Sequence, residues 1–154
     1  MSKTILFVCR GNAFRSILAD AYLKSKQLSN IKVLSAGTVA TQYYEQNGVD
    51  FNANMADYAA AHGIGNFIKD HYGDQLTQEL LDSADIVILL NNIVRQEAEQ
   101  AKLRLPPYTQ VWSVVDMGET GRIATNPEEE LKFKEDIYEE ICTNVDNLIK
   151  SDLT

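Results

Sequence analysis

The chain has 154 residues with 22 acidic and 14 basic side chains, a net charge of −8. At that size one domain spanning residues 1–154 is expected, burying about 68–70% of the surface its unfolded chain exposes. The negative surface argues against a nucleic-acid partner, whose phosphates it would repel. The two cysteines, Cys9 and Cys142, lie far apart in sequence, and the start of the chain has too short an apolar run for a signal peptide or a membrane span. A reducing cytoplasm, with no disulfide and no membrane contact, is the expectation.

Taken in order, the first apolar run, Thr4–Val8, reads as a buried strand ending at Cys9. The residues Arg10, Gly11, Asn12, Ala13 and Phe14 follow as a tight loop, in which Gly11 and Asn12 tolerate unusual backbone angles. Ile17, Leu18, Ala21 and Tyr22 then repeat at helical period, which predicts a helix over Arg15–Lys26. Lys32–Ser35 reads as a second strand. A helical stretch lies within Asn52–His62, and a short one over Thr77–Asp82. Asp85–Leu90 is a third strand, Ile93–Lys102 a helix, and Pro106-Pro107 a turn before a fourth strand, Tyr108–Val114. A long helix from Glu128 to about Lys150 closes the chain, with Ile137, Ile141, Val145 and Leu148 on one face and Cys142 flanking that stripe as a core residue. Strands alternating with helices predict an α/β fold, a four-stranded parallel sheet, doubly wound, with helices on both faces. Ligands of such sheets bind beyond the carboxyl ends of the strands, where Cys9 and Asp116 both fall.

Cys9 and Arg15 bracket the loop six positions apart. With five arginines in 154 residues a given cysteine meets one at a chosen offset with odds of 5/154, about 3%, so the spacing gains its weight from the strand, loop and helix around it. Amides of a tight loop at a helix N-terminus can converge on phosphoryl oxygens. Arg15 can add a two-pronged contact, and the same donors favour a Cys9 thiolate as nucleophile. In an acidic chain, Arg10, Arg15 and the loop amides make a focused anion site. The leaving group needs a proton, and Asp116 is the leading acid, although from position alone it reads equally as a turn residue before Met117-Gly118. Ser16 can donate to the cysteine sulfur, a role compatible with helix capping. His62 and His71 are too isolated for a metal cluster, and the route needs no metal and no cofactor. Walker-type and dinucleotide glycine fingerprints are absent.

The string VCRGNAFRS, with Cys9, Gly11, Asn12, Arg15 and Ser16, resembles the low-molecular-weight protein tyrosine phosphatases. Ser35-Ala36-Gly37-Thr38, His62-Gly63-Ile64, and His71 with Gln75-Leu76-Thr77 and Ala84-Asp85 extend the likeness along most of the chain. The resemblance implies a four-stranded parallel sheet and cofactor-free hydrolysis of phosphate monoesters, chiefly phosphotyrosine in proteins, through a phosphocysteine. It implies that Asn12 holds the loop conformation through a hydrogen-bond network with Ser35 and His71, giving His71 a supporting role, and that Asp116 is the general acid.

The sequence departs from that pattern in three places. Met117 follows the acid where the family has proline, which predicts a more mobile acid loop. Tyrosines often found after the acid are missing. Phe14 replaces a second loop cysteine, which predicts that Cys9 is open to over-oxidation. Tyr43, Tyr44 and Phe51 are candidate walls of the cleft mouth, and as readily surface packing. Two other readings remain: an arsenate reductase on the same scaffold, for which Cys142 is a poor relay thiol, and an inactive relative that keeps only the anion cradle.

Overall fold

A computed structural model describes residues 2–48 and 55–153. Four parallel strands, β1 (Lys3–Cys9), β2 (Ile31–Gly37), β3 (Ile86–Leu89) and β4 (Thr109–Val111), lie in the order β2-β1-β3-β4. Among the described residues six helices accompany them: α1 (Arg15–Ser25), α2 (Ala40–Asn47), α3 (Met55–Ala61), α4 (Gln78–Ser83), α5 (Asn92–Gln100) and α6 (Pro127–Asp152). A 3₁₀ turn spans Gly65–Phe67.

Side-chain alternation along β1 makes the sheet double-sided. Ile5, Phe7 and Cys9 point into a core shared with Ile17, Leu18 and Ala21 of α1 and with Ile137, Ile141, Val145 and Leu148 of α6. Leu6 and Val8 point the other way, against Leu81 of α4 and Val94 and Ala98 of α5. The parallel, doubly wound sheet expected from the sequence is therefore present, and the four residues of the closing stripe are buried as expected. The strand order reverses beside β1, the place where such sheets open a crevice.

Three expectations change. The fourth strand pairs only over Thr109–Val111. Beyond it Trp112 and Val114 still donate to Leu89 and Leu90 carbonyls, so the chain follows β3 without a regular ladder. Helix α2 occupies a stretch where no element was expected, because its sequence ATQYYEQN carries no apolar stripe and only Ala40 is buried. Cys142 is half-buried rather than a core residue. Helix α3 falls within the expected stretch Asn52–His62, whose first residues, with Phe51, lie outside the described residues. Helix α6 starts as its sequence dictates: Asn126 caps the Glu129 amide at 2.8 Å, Pro127 opens the first turn, and Glu128, Glu129 and Glu130 face the positive end of the dipole.

Candidate active site

The end of β1 delivers Cys9 to the crevice, and the loop 10–14 turns directly into α1. Gly37 at the end of β2 lets this loop close: a Cβ there would stand 2.4 Å from the Arg10 carbonyl oxygen and 2.7 Å from the Asn12 nitrogen, both backbone atoms. Asn12 takes the left-handed conformation at φ 51°, which few side chains other than asparagine accept readily. Its amide donates to Cys9 Sγ at 3.3 Å, and Ser16 Oγ stands 3.0 Å from the same sulfur. Cys9 is 3% exposed, so the sulfur's surroundings are these donors rather than water.

The wholly buried Asn12 side chain uses its full hydrogen-bonding capacity. Nδ2 donates to Ser16 Oγ (2.8 Å) and Ser35 Oγ (3.1 Å). Oδ1 accepts from the Asp74 amide (3.0 Å) and from Lys69 Nζ (3.1 Å). Lys69 was not singled out in the sequence. Its ammonium also donates to the Ser35 carbonyl, to Ser35 Oγ and, at 2.6 Å, to Asp74 Oδ2. His71 joins the network of Asn12 at one remove: it pairs with Asp74 Oδ1 at 2.7 Å, its side chain 78% exposed, and the Asp74 amide donates to Asn12. The position beside Asn12 belongs to Lys69, two residues earlier, whose longer stem reaches under the loop.

Arg15 begins α1 with its guanidinium fully buried. Nη1 donates to the Val114 carbonyl at 2.8 Å, and Nη2 to Asp116 Oδ2 at 3.2 Å. Its Nε has no partner among the described residues. The amides of Gly11, Ala13 and Phe14 likewise have no acceptor among the described residues, and no side chain caps α1. Burial pushes the Asp116 carboxyl up; the Arg15 charge and the Met117 amide, which donates at 2.9 Å, pull it back, Glu119 pushes it up further, and the net is above the ordinary carboxylate range. The Arg10 guanidinium is turned to Glu97 at 3.0 Å, at the cleft rim.

These residues floor a cleft of about 570 Å³ walled by Phe14, Tyr43, Met55, Tyr58 and Met117. Tyr43 packs over Gly11, where a Cβ would meet its ring at 2.8 Å. Tyr44 lies behind the loop, its hydroxyl donating to the Asn12 carbonyl, and is not part of the wall. The loop that carries Asp116 and Met117 is tied by several hydrogen bonds. Glu119 accepts the Asp116 amide at 2.6 Å, Gly118 donates to the Arg122 carbonyl, and Arg122 donates to Val115 and pairs with Glu140 of α6. His62 is structural: Nδ1 donates to the Tyr58 carbonyl at 2.9 Å and Nε2 to Glu135 at 3.1 Å, joining the end of α3 to α6.

The site thus brings together a buried cysteine at a strand-to-helix loop, an arginine at the helix start and a carboxyl paired with that arginine, all lining one cleft. The profile of the family described as low molecular weight phosphotyrosine protein phosphatase matches residues 4–151, and the chain belongs to that family. It is 35% identical over 99 residues to a probable low molecular weight protein-tyrosine-phosphatase, EpsP, of Ralstonia nicotianae; the match covers 64% of this chain and 63% of that relative, less than two thirds of its length. Arsenate reductase 1 of Bacillus cereus is 36% identical over 88 residues, 57% of this chain and 58% of its own. The crystal structure of the Erwinia amylovora tyrosine phosphatase amsI superposes with a TM-score of 0.71 at 20% identity, covering 98% of this chain and 93% of that one, a likeness of fold.

Proposed function

We propose that residues 1–154 act as one catalytic domain that hydrolyses phosphate monoesters, chiefly phosphotyrosine in proteins, through a phosphocysteine. The observation that carries this reading is the set of unspent donors around Cys9. Arg15 Nε and the amides of Gly11, Ala13 and Phe14 have no acceptor among the described residues, at the floor of an aromatic-walled cleft. A phosphoryl group needs such donors for its oxygens, and a planar phenyl ester suits the walls formed by Phe14, Tyr43 and Tyr58.

In the first step the Cys9 thiolate attacks phosphorus, the ester P–O bond breaks, and Asp116, its carboxyl pushed up by burial, gives the departing oxygen its proton. In the second, Asp116 takes a proton from water as that water attacks phosphorus. The S–P bond then breaks and inorganic phosphate leaves, with the Ser16 hydroxyl, 3.0 Å away, stabilising the returning thiolate. The reading involves no cofactor and no nucleic acid. Among the described residues no helix is long and apolar enough to cross a membrane, and we assign the protein to the cytoplasm on its two free thiols.

The decisive measurement is steady-state kinetics on phosphotyrosine, phosphoserine, phosphoarginine and arsenate side by side. Phosphotyrosine turnover that is lost in Cys9→Ser, while phosphate binding persists, supports the reading. Thioredoxin-coupled arsenate reduction would replace it. Against arsenate stands Cys142, which does not line the cleft and lies beside Tyr138 and Tyr22, where burial pushes its thiol up. Phosphate binding with no turnover of any ester would leave only the inactive relative.

A further inference from the structure

The acid loop contains a carboxylate the hydrolysis itself does not use. Glu119 lies three residues past Asp116 with its side chain 15% exposed. Its Oε1 accepts the Asp116 backbone amide at 2.6 Å and the Asn91 side-chain amide at 3.1 Å. Asn91 is itself anchored, 7% exposed at the end of β3, capping α5 through the Val94 amide at 3.2 Å. The same Oε1 stands 3.9 Å from Arg15 Nη1. One carboxylate thus joins the backbone of the acid, the rigid end of a central strand and the guanidinium of the cradle.

The geometry points to Glu119 as the positioning residue that aims the Asp116 carboxyl at the leaving-group oxygen, standing in for a stiff residue that Met117 does not supply. This rests on the phosphatase reading. A carboxyl free to swing would need ordering in each turnover, whereas a loop clamped beforehand presents its acid in reach. Glu119 also acts electrostatically. The charged or titrating groups acting on Asp116 are Arg15 of α1, Arg10 of the loop 10–14, Tyr43 of α2 and Glu119 itself; Cys9 of β1, Asp57 and Tyr58 of α3, and Glu130 and Lys134 of α6 line the same cleft. Of these, Glu119 opposes Asp116 ionisation from within the same loop, keeping the acid protonated to higher pH.

The test compares two leaving groups in Glu119→Ala and Glu119→Gln. Phenyl phosphate needs a proton on its departing oxygen, and a dinitrophenyl phosphate does not. In Glu119→Ala, kcat/KM on phenyl phosphate should fall about 10–100-fold while kcat/KM on the dinitrophenyl ester stays within about threefold, because kcat/KM reports only the steps up to phosphocysteine formation, and there only the phenyl ester needs the acid. Glu119→Gln keeps an acceptor for the Asp116 amide and should recover most of that loss. It should also move the alkaline limb of the kcat/KM profile on phenyl phosphate to lower pH, since the opposing charge is gone. Equal losses of kcat/KM on both esters in either variant, or none on either, would overturn the assignment. Wild-type turnover of the dinitrophenyl ester reports separately on the phosphatase reading, so a failure of that reading is seen before any variant is compared.

Discussion

Replacing Lys69 by methionine keeps the apolar stem and removes the ammonium that supports the cradle from below. Four contacts go at once: Asn12 Oδ1, the Ser35 carbonyl, Ser35 Oγ and Asp74 Oδ2. Their losses differ in weight. Asp74, its side chain 40% exposed, regains water, so its ion pair counts for little, whereas Ser35 and Asn12 are buried and cannot. Asn12 Oδ1 still has the Asp74 amide and Ser35 Oγ still has Asn12 Nδ2, which limits the damage to weakened rather than orphaned groups. Hydrogen bonds to charged groups contribute about 1.5–3 kcal/mol, and these compensations bring the sum to about 2–3 kcal/mol. For a domain of this size that corresponds to a fall in Tm of about 4–12 °C. Because Asn12 holds a left-handed backbone and gives its amide to Cys9, kcat/KM should drop about 10–100-fold as the loop loses its fixed shape. Differential scanning fluorimetry and aryl phosphate kinetics measure both. His71→Ala is the companion, and with an exposed ring it should change stability by under about 0.5 kcal/mol and activity by less than threefold. If His71→Ala proved the more damaging of the two, the assignment of Lys69 as the supporting residue would be refuted.

Asp116→Asn should lower kcat about 10²–10⁴-fold on phenyl phosphate and erase the alkaline limb of its pH profile; an unchanged rate would mean that another group is the acid. Gly37→Ala should abolish activity and depress Tm, since its Cβ would meet loop backbone at 2.4 Å with no side chain to move aside, and full activity would contradict that contact. Burial draws the His62 imidazole down, but the Tyr58 carbonyl and Glu135 outweigh it and hold its pKa above the ordinary range. A raised folded value means stabilisation fully present below about pH 6.5 and lost as pH rises through that folded value. The Tm gap between wild type and His62→Gln should therefore shrink on going from about pH 5.5 to pH 8.5, and a gap constant across that range would contradict the pairing. Peroxide should inactivate the protein in a manner dithiothreitol does not reverse, because Phe14 leaves no thiol beside Cys9 to trap the sulfenic acid; full recovery would point to such a trap elsewhere.

What could be read from the sequence was what local chemistry writes into adjacent residues. Cys9, Arg15 and Ser16 fall within one strand-loop-helix unit, and their geometry follows once Thr4–Val8 is a strand and Arg15 opens a helix. The stripe Ile137, Ile141, Val145 and Leu148 announces its buried face through period alone. Helix α2 escaped because nothing in ATQYYEQN forms a stripe; it is held from outside, by Ala40 in the core, by Gln75 on the Thr41 amide and by Tyr44 on the loop carbonyl. Such tertiary support leaves no periodic trace.

The two supporting residues that escaped share a different cause. Lys69 and Glu119 are charged side chains in stretches outside any helix or strand, and charge in such a stretch ordinarily means solvent. What distinguishes them is burial: their side chains are 12% and 15% exposed, and each meets three other residues. Desolvating an ion costs several kcal/mol unless acceptors or donors surround it, so each has been drawn inward only where the loop it serves supplies them. The two sit on opposite sides of the cradle, a cation beneath the loop that carries Cys9 and an anion behind the loop that carries Asp116. Each is matched to the partners it fastens, since Asn12 Oδ1 and the Ser35 carbonyl need a donor and the Asp116 amide needs an acceptor. Exchanging their charges would therefore leave both loops with repelled partners, although the net charge of the chain would be unchanged.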